Sequence, residues 1–215
     1  MATKKQAQDW PNLSKYQQEN SLLPIPVLEE KRVVFMGDSI TEFWKMIDPD
    51  YFVNKSYINR GISGQTTPQM LIRFRADVIA LQPTVVIILA GINDIAGNTG
   101  PSSLEMIRDN IFSMVELAKA NQIEVILCSV LPAIDFSWKP NQQPIEKIKA
   151  LNEIIKNYAQ SNEIVYIDYY SVMVDAHEGL KKEYSNDGVH PNKMGYQVMR
   201  PLAEKAIAFV LKSDK

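Results

Sequence analysis

An α/β fold, a parallel sheet with helices on both faces, is predicted by three observations. Short β-branched runs recur along the chain, each is followed by a longer stretch of helical period, and the first three runs end in turns of glycine and polar residues. The 215 residues, 46% hydrophobic and 22% charged, are enough for one buried core. No repeat or low-complexity tract interrupts them, and the 9 glycines and 12 prolines sit at element ends instead of pooling in a linker. The expected organisation is a flanking arm over residues 1–30 and one domain over residues 31–215.

In the arm, Asp9 is a candidate helix cap, and Pro24-Ile25-Pro26 ends whatever helix precedes it. The candidate strands follow in order: Arg32 to Met36, Lys55 to Ile58, Thr84 to Leu89, Glu124 to Ser129 and Ile164 to Ile167. Ser102-x-x-Glu105 forms a capping box for a helix that carries Leu104, Ile107, Ile111, Val115 and Ala118 at spacings of three and four. A second amphipathic helix carries Ile145, Ile148, Leu151, Ile154, Ile155 and Tyr158. A third begins near Pro191, carries Met194 and Val198, and should kink or restart at Pro201, which lacks an amide donor.

Charge removes several classes of function. Lys plus Arg number 23 against 25 Asp plus Glu, and a net charge of -2 gives no basic field to draw in nucleic acid. The longest apolar run, Val85 to Ala90, falls far short of the ~20 residues that cross a bilayer. Met1 to Trp10 contain no apolar stretch that could serve as a signal-peptide core. The chain as it stands therefore reads as soluble and cytoplasmic, and export would require a leader already removed. The single cysteine, Cys128, lies in a strand-like run and indicates no compartment.

In open α/β sheets, ligands bind beyond the carboxyl ends of the strands, where strand order reverses. The turns there read Gly37-Asp38-Ser39-Ile40, then Asn59-Arg60-Gly61-Ile62-Ser63-Gly64, then Gly91-Ile92-Asn93-Asp94. A strand order of 2-1-3-4-5 would bring Ser39, Gly61 and Asn93 to one crevice. Ser39 at a strand-to-helix turn suits a nucleophile, with its amide at the helix N-terminus; the competing reading is a plain helix cap. A serine nucleophile needs a base, and there are only two histidines. His190, in Asp187-Gly188-Val189-His190, has a carboxylate three residues earlier to orient its ring. His177, with Asp175 and Glu178, makes only a weak metal pattern, so neither metal nor cofactor is expected. The amides of Ser39 and Gly61 and the side chain of Asn93 are candidate oxyanion donors. Separately, Gly61 could serve backbone geometry and Asn93 its own turn.

Together these blocks resemble the SGNH or GDSL hydrolases. The resemblance runs from about Arg32 to about Arg200: Gly37-Asp38-Ser39-Ile40-Thr41, with isoleucine where leucine is common, then Gly61, Gly91-Ile92-Asn93-Asp94, and Asp187-Gly188-Val189-His190. It implies a three-layer α/β/α flavodoxin-like fold with a five-stranded parallel sheet, and a serine-esterase mechanism. In that mechanism Ser39 is the nucleophile, His190 the base, Asp187 its orienter, and Ser39, Gly61 and Asn93 the oxyanion hole. Within the family, the chain is similar to the subgroup of platelet-activating-factor acetylhydrolase. The G-x-S-x-G signature is absent, and Ser63 is misspaced for a nucleophile.

Pocket residues are less determined. The stretch from Pro132 to Pro144 is long enough to overhang the site, and Trp138 with Phe136 could wall it, or could pack down or meet another subunit. Trp44 and Ile95 are candidates for the same wall, with a core role as the competing reading. Arg60 could meet an anionic group or form a surface ion pair. The expected partner is a small-molecule ester, an acylated carbohydrate or lipid, with no nucleic acid and no membrane span; a homo-oligomer stays open. The rival reading is a non-catalytic flavodoxin-like module in which Gly37 to Thr41 and Gly61 to Thr67 cradle a phosphate or flavin.

Overall fold

β-Branched residues fit the pleated, doubly covered surface of a parallel sheet, and β3 below, the strand with most of them, is buried throughout, as is its neighbour β1. A computed structural model describes residues 9–27 and 29–213; residues 1–8, on which most of the leader reading rests, lie outside the described residues. In chain order the elements are α1 (Gln17–Leu22), β1 (Val33–Gly37), α2 (Ser39–Ile47), β2 (Tyr57–Gly61), α3 (Thr67–Asp77), β3 (Val85–Leu89) and α4 (Ile92–Ile95). Then come α5 (Leu104–Ala120), β4 (Glu124–Cys128), α6 (Pro144–Ser161), β5 (Val165–Ile167), α7 (Tyr169–Met173) and α8 (Lys193–Ser213).

All five strands pair in parallel in the order β2-β1-β3-β4-β5. The chain leaves β1 toward β2 and returns to the other side of β1 as β3, so the switch point lies between the carboxyl ends of β1 and β3. Gly37 at the end of β1 is level with Gly61 on one side and Leu89 on the other. The three glycine-bearing turns thus start from one level of the sheet. The helices bury the faces their periodicity predicts: Ile107, Ile111, Val115 and Ala118 on α5, and Ile148, Leu151 and Ile155 on α6.

Several boundaries differ from expectation, each for a local reason. β2 runs three residues further than predicted because Asn59 and Arg60, which read as a polar turn, are buried with partners. The cap of α5 is Ser103, not Ser102: its Oγ accepts from Met106 N at 3.3 Å. Asp9 accepts from Leu13 N and Ser14 N and so closes a turn, while α1 begins only at Gln17. α8 begins near Pro191 as expected, at Lys193, but does not restart at Pro201, which lies inside the continuous helix. Pro201 and Gln197, four residues before it, are both exposed, so the carbonyl that loses its donor can bond to water. The buried face of α8 is Tyr196, Met199, Ala203, Ala206, Ile207 and Val210, with Met194 exposed. No helix among the described residues is long and apolar enough to cross a membrane.

Candidate active site

The turn after β1 is shaped by Asp38. Its carboxylate accepts from Ile40 N at 2.9 Å and caps α2, which leaves Ser39 as the first helical residue. The Ser39 amide has no acceptor among the described residues. Burial, the Asp94 carboxylate adding to it, pushes the Asp38 carboxyl up to about 7. Asp94 is itself raised to about 6 by burial, although it accepts from Thr67 N at 3.0 Å and Thr67 Oγ1 at 2.6 Å. Both carboxyl groups therefore anchor backbone, Asp38 at the start of α2 and Asp94 at the start of α3.

Ser39 Oγ stands 2.9 Å from His190 Nε2, across a sequence separation of 151 residues. His190 Nδ1 lies 2.7 Å from Asp187 Oδ2. The Asp187 loop is wound around its own carboxylate, whose Oδ1 accepts from Val189 N at 2.9 Å and His190 N at 2.8 Å. Ser185 Oγ adds a contact to His190 O at 2.8 Å, and the buried Val189 pegs the loop to the core. Burial works to raise the Asp187 carboxyl, but the His190 amide and imidazole and the Val189 amide outweigh it and hold it at about 2. A charged Asp187 fixes the imidazole with Nδ1 as the donor and Nε2 facing the serine.

Asn93 is buried at the start of α4, in the turn that follows β3. One Nδ2 hydrogen goes to Gln65 O at 3.1 Å, and Asn93 Oδ1 accepts from Asn98 Nδ2 at 2.9 Å. The amide is thereby oriented with a second Nδ2 hydrogen to spare.

Gly61 does not offer the amide expected of it. Its N–H donates to Asn59 Oδ1 at 3.0 Å, and a Cβ there would lie 2.1 Å from Glu42 N, so Gly61 is a glycine because β2 and α2 touch at that point. Gly64, three residues on, has a positive φ of 76° and an N–H without an acceptor among the described residues. Its carbonyl accepts from Asn98 Nδ2 at 3.1 Å, which sets the Gly64 turn against Asn93. Sequence reasoning passed over Gly64 although it sits in the same block, because Gly61 follows the strand more directly.

Three of the four predicted pocket residues lie elsewhere. Trp44 is a core residue, stacked between Tyr51 at 4.8 Å and Tyr196 at 5.4 Å. Ile95 is buried in the same core. Arg60 is wholly buried and bonded to Asn20 Oδ1, Glu19 Oε1 and Asn59 O, so it braces the N-terminal segment. Trp138 does reach the site: its ring centroid is 6.0 Å from that of His190, with Phe43 at 5.3 Å from the same imidazole. Phe136 is fully buried beneath Trp138. Asp175 Oδ1 accepts from His177 N and Gly179 N, which makes that carboxylate the closure of a turn.

A phosphate cradle needs free amides, and the second loop has few. Ser63 N goes to Glu42, Gln65 N to Ile62 O, Thr66 N to Gln69 and Thr67 N to Asp94. Two of those acceptors are carboxylates, which would repel an anion. The arrangement that remains is a serine, an imidazole and a carboxylate in line, beside spare amide donors at the carboxyl edge of a parallel sheet. Fold and site together have the layout that a hydrolase of the parallel α/β class with a serine nucleophile would need.

Comparison with known proteins supplies the family. Residues 35–198 match the GDSL-like lipase/acylhydrolase family, and the chain belongs to it. A solved structure from Bacteroides fragilis, described as a candidate acylhydrolase, is 51% identical with a TM-score of 0.94, covering 95% of this chain and 100% of that one. A GDSL-like lipase from Bacteroides thetaiotaomicron is 48% identical with a TM-score of 0.89, covering 92% and 98%. An acetylxylan esterase from Xylanibacter ruminicola is 24% identical across 86% of this chain and 45% of its own length. The chain spans less than half the length of the curated relatives it matches.

Proposed function

We propose that this enzyme removes short acyl groups, acetyl foremost, from an acylated carbohydrate through an acyl-enzyme on Ser39. The observation that carries the proposal is the unbroken hydrogen-bonded line from Ser39 Oγ through His190 to Asp187, at 2.9 Å and 2.7 Å. Ser39 Oγ attacks the acyl carbon while His190 Nε2 takes its proton, and Asp187 stabilises the resulting imidazolium. The oxyanion rests on the amides of Ser39 and Gly64 and on Asn93 Nδ2. His190 then protonates the departing alcohol oxygen, and the C–O ester bond breaks. Water, losing its proton to His190, attacks the acyl carbon, and His190 returns that proton to Ser39 Oγ as the ester bond to Ser39 breaks and the carboxylic acid leaves.

A carbohydrate is favoured over a long-chain lipid by what surrounds the site. A cavity of about 620 Å³ has Asp187, but not Ser39 or His190, in its wall, and Asp135, Ser137, Asn186 and Lys182 there supply donors and acceptors for hydroxyl groups of a sugar that extends past the Asp187 loop. The apolar groove lined by Val165, Leu202 and Phe209 belongs to β5 and α8 and includes none of the proposed catalytic residues. The acetylxylan esterase relative acts on an ester of this kind.

The test is hydrolysis of an ester series from acetyl to octanoyl, followed by acetylated oligosaccharides. We expect kcat/KM to fall steeply with acyl length and to rise when the alcohol part is a sugar. A preference for octanoyl esters or phospholipids would contradict the carbohydrate assignment and leave the serine chemistry standing.

A further inference from the structure

Asn98 lies outside the serine, histidine and aspartate line, yet its side chain joins three parts of the site at once. Its Nδ2 donates to Asn93 Oδ1 at 2.9 Å and to Gly64 O at 3.1 Å, and its Oδ1 accepts from Trp138 Nε1 at 2.9 Å. Its backbone N–H bonds to Asn93 O at 3.0 Å, so the residue folds back over the turn it supports. We infer that Asn98 is a positioning residue that ties the aromatic wall at Trp138 to the oxyanion donors Asn93 and Gly64. This inference rests on the reading of Asn93 as an oxyanion donor.

The chemistry explains why an amide is needed at position 98. Two donors and one acceptor are used, and asparagine supplies both kinds at the end of a short side chain. An aspartate could accept from the indole but could not donate to either neighbour, and its charge would oppose a developing oxyanion. The bonds also run in one sense, from Trp138 N–H to Asn98, from Asn98 N–H to Asn93, and from Asn93 N–H to the substrate oxygen. Such a chain polarises each member in turn and strengthens the last donor. Holding Asn93 Oδ1 prevents the amide from turning over, which would aim an oxygen at the oxyanion. Bonding to Gly64 O fixes the peptide that follows a residue already in the left-handed region. Asn98 touches no substrate in this scheme and acts through its neighbours.

Because Trp138 is the far end of the chain and flanks His190, one side chain, Asn98, links the wall of the pocket to the oxyanion hole. A shift of the Trp138 loop would reach the oxyanion donors directly through one side chain.

The test is a double-mutant cycle on acetyl ester turnover, with thermal unfolding midpoints measured for every variant. Asn98→Ala should lower kcat about twentyfold while changing KM less than about twofold. In an Asn93→Ala background the same change should cost no more than about threefold, that remainder being carried by Gly64. Trp138→Phe keeps a ring beside His190 but removes the donor, and should lower kcat about threefold with the unfolding midpoint unchanged. A full twentyfold loss from Asn98→Ala in the Asn93→Ala background would overturn the inference, as would a loss confined to KM. If Asn93→Ala lowers kcat strongly and Asn98→Ala leaves it unchanged, the inference fails alone. If Asn93→Ala itself retains full kcat, the oxyanion assignment fails and takes the inference with it.

Discussion

At the scale of single residues, the site is a set of polar groups whose burial decides their work. Asn93 is buried and has one donor to spare, so its loss should act on the transition state. Asn93→Ala should cost roughly 10²–10³ in kcat with little change in KM, as removal of one oxyanion donor does, and steady-state kinetics would show it. Asp187→Asn should cost more, about 10⁴, because the amide would hold the imidazole in the wrong tautomer. The two carboxyls displaced in opposite directions also give opposite pH signatures. Asp187, held at about 2, contributes stability that is present above its ordinary 3.8 and lost as the pH falls toward 2. Asp38, pushed up to about 7 from an ordinary 3.8, binds its proton more tightly in the folded chain. Its contribution is complete below about pH 3.8 and is lost as the pH rises through about 7. Asp38→Asn should therefore flatten the dependence of stability on pH between about 4 and 7, as read from urea denaturation across that range. An unchanged slope would refute the buried-carboxyl account.

At the scale of elements, apolar patterning was legible and buried polar residues were not. The three-and-four spacing on α5 and the β-branched runs of β1 and β3 located those elements, because an apolar face has one place to go. β2 was misjudged at Asn59 and Arg60, whose burial depends on partners supplied from distant parts of the chain. Asn59 is satisfied by Thr41 O and the Gly61 amide, and no local pattern carries that information. Gly61 was recognised as special but given the wrong reason: it is a contact glycine, and the spare amide belongs to Gly64. Gly61→Ala should accordingly destabilise the fold by at least about 1–3 kcal/mol, since the neighbouring atoms are backbone and cannot step aside. A shift in the denaturation midpoint measures it, and a variant as stable as the parent would show the contact to be looser than described. Pro201 makes the converse case. It remains inside α8 at an exposed position, so Pro201→Ala should return a donor to the helix and raise the unfolding temperature.

At the scale of the whole molecule, a strap of N-terminal residues embraces the edge of the sheet nearest the site. Tyr16 OH bonds Gly61 O, Gln65 Nε2 bonds Pro11 O at 2.7 Å, and Lys15 pairs with Glu42, which in turn holds Ser63. Asn20 is the central tie, donating to Asp77 Oδ1 at 2.8 Å and accepting from the buried Arg60 at 2.9 Å. Asn20→Ala leaves part of a buried guanidinium unpaired and should cost about 1–3 kcal/mol, which equilibrium unfolding would report. Nothing in the arm's own sequence announced this, because the partners of its residues lie on α2, on β2, on α3 and in the loop between β2 and α3. The strand order, in contrast, could be anticipated from the turns, since a ligand crevice needs the ends of β1 and β3 side by side. That order is what carries Ser39 and His190 together from opposite ends of the chain. The most direct measurement is mass spectrometry of the protein after treatment with a fluorophosphonate ester, with turnover of an acetyl ester followed in parallel. One adduct on Ser39 with loss of turnover is the outcome the account predicts, with no adduct in Ser39→Ala and a much slower one in His190→Ala. Labelling at another serine, or full ester turnover by purified Ser39→Ala, would contradict it.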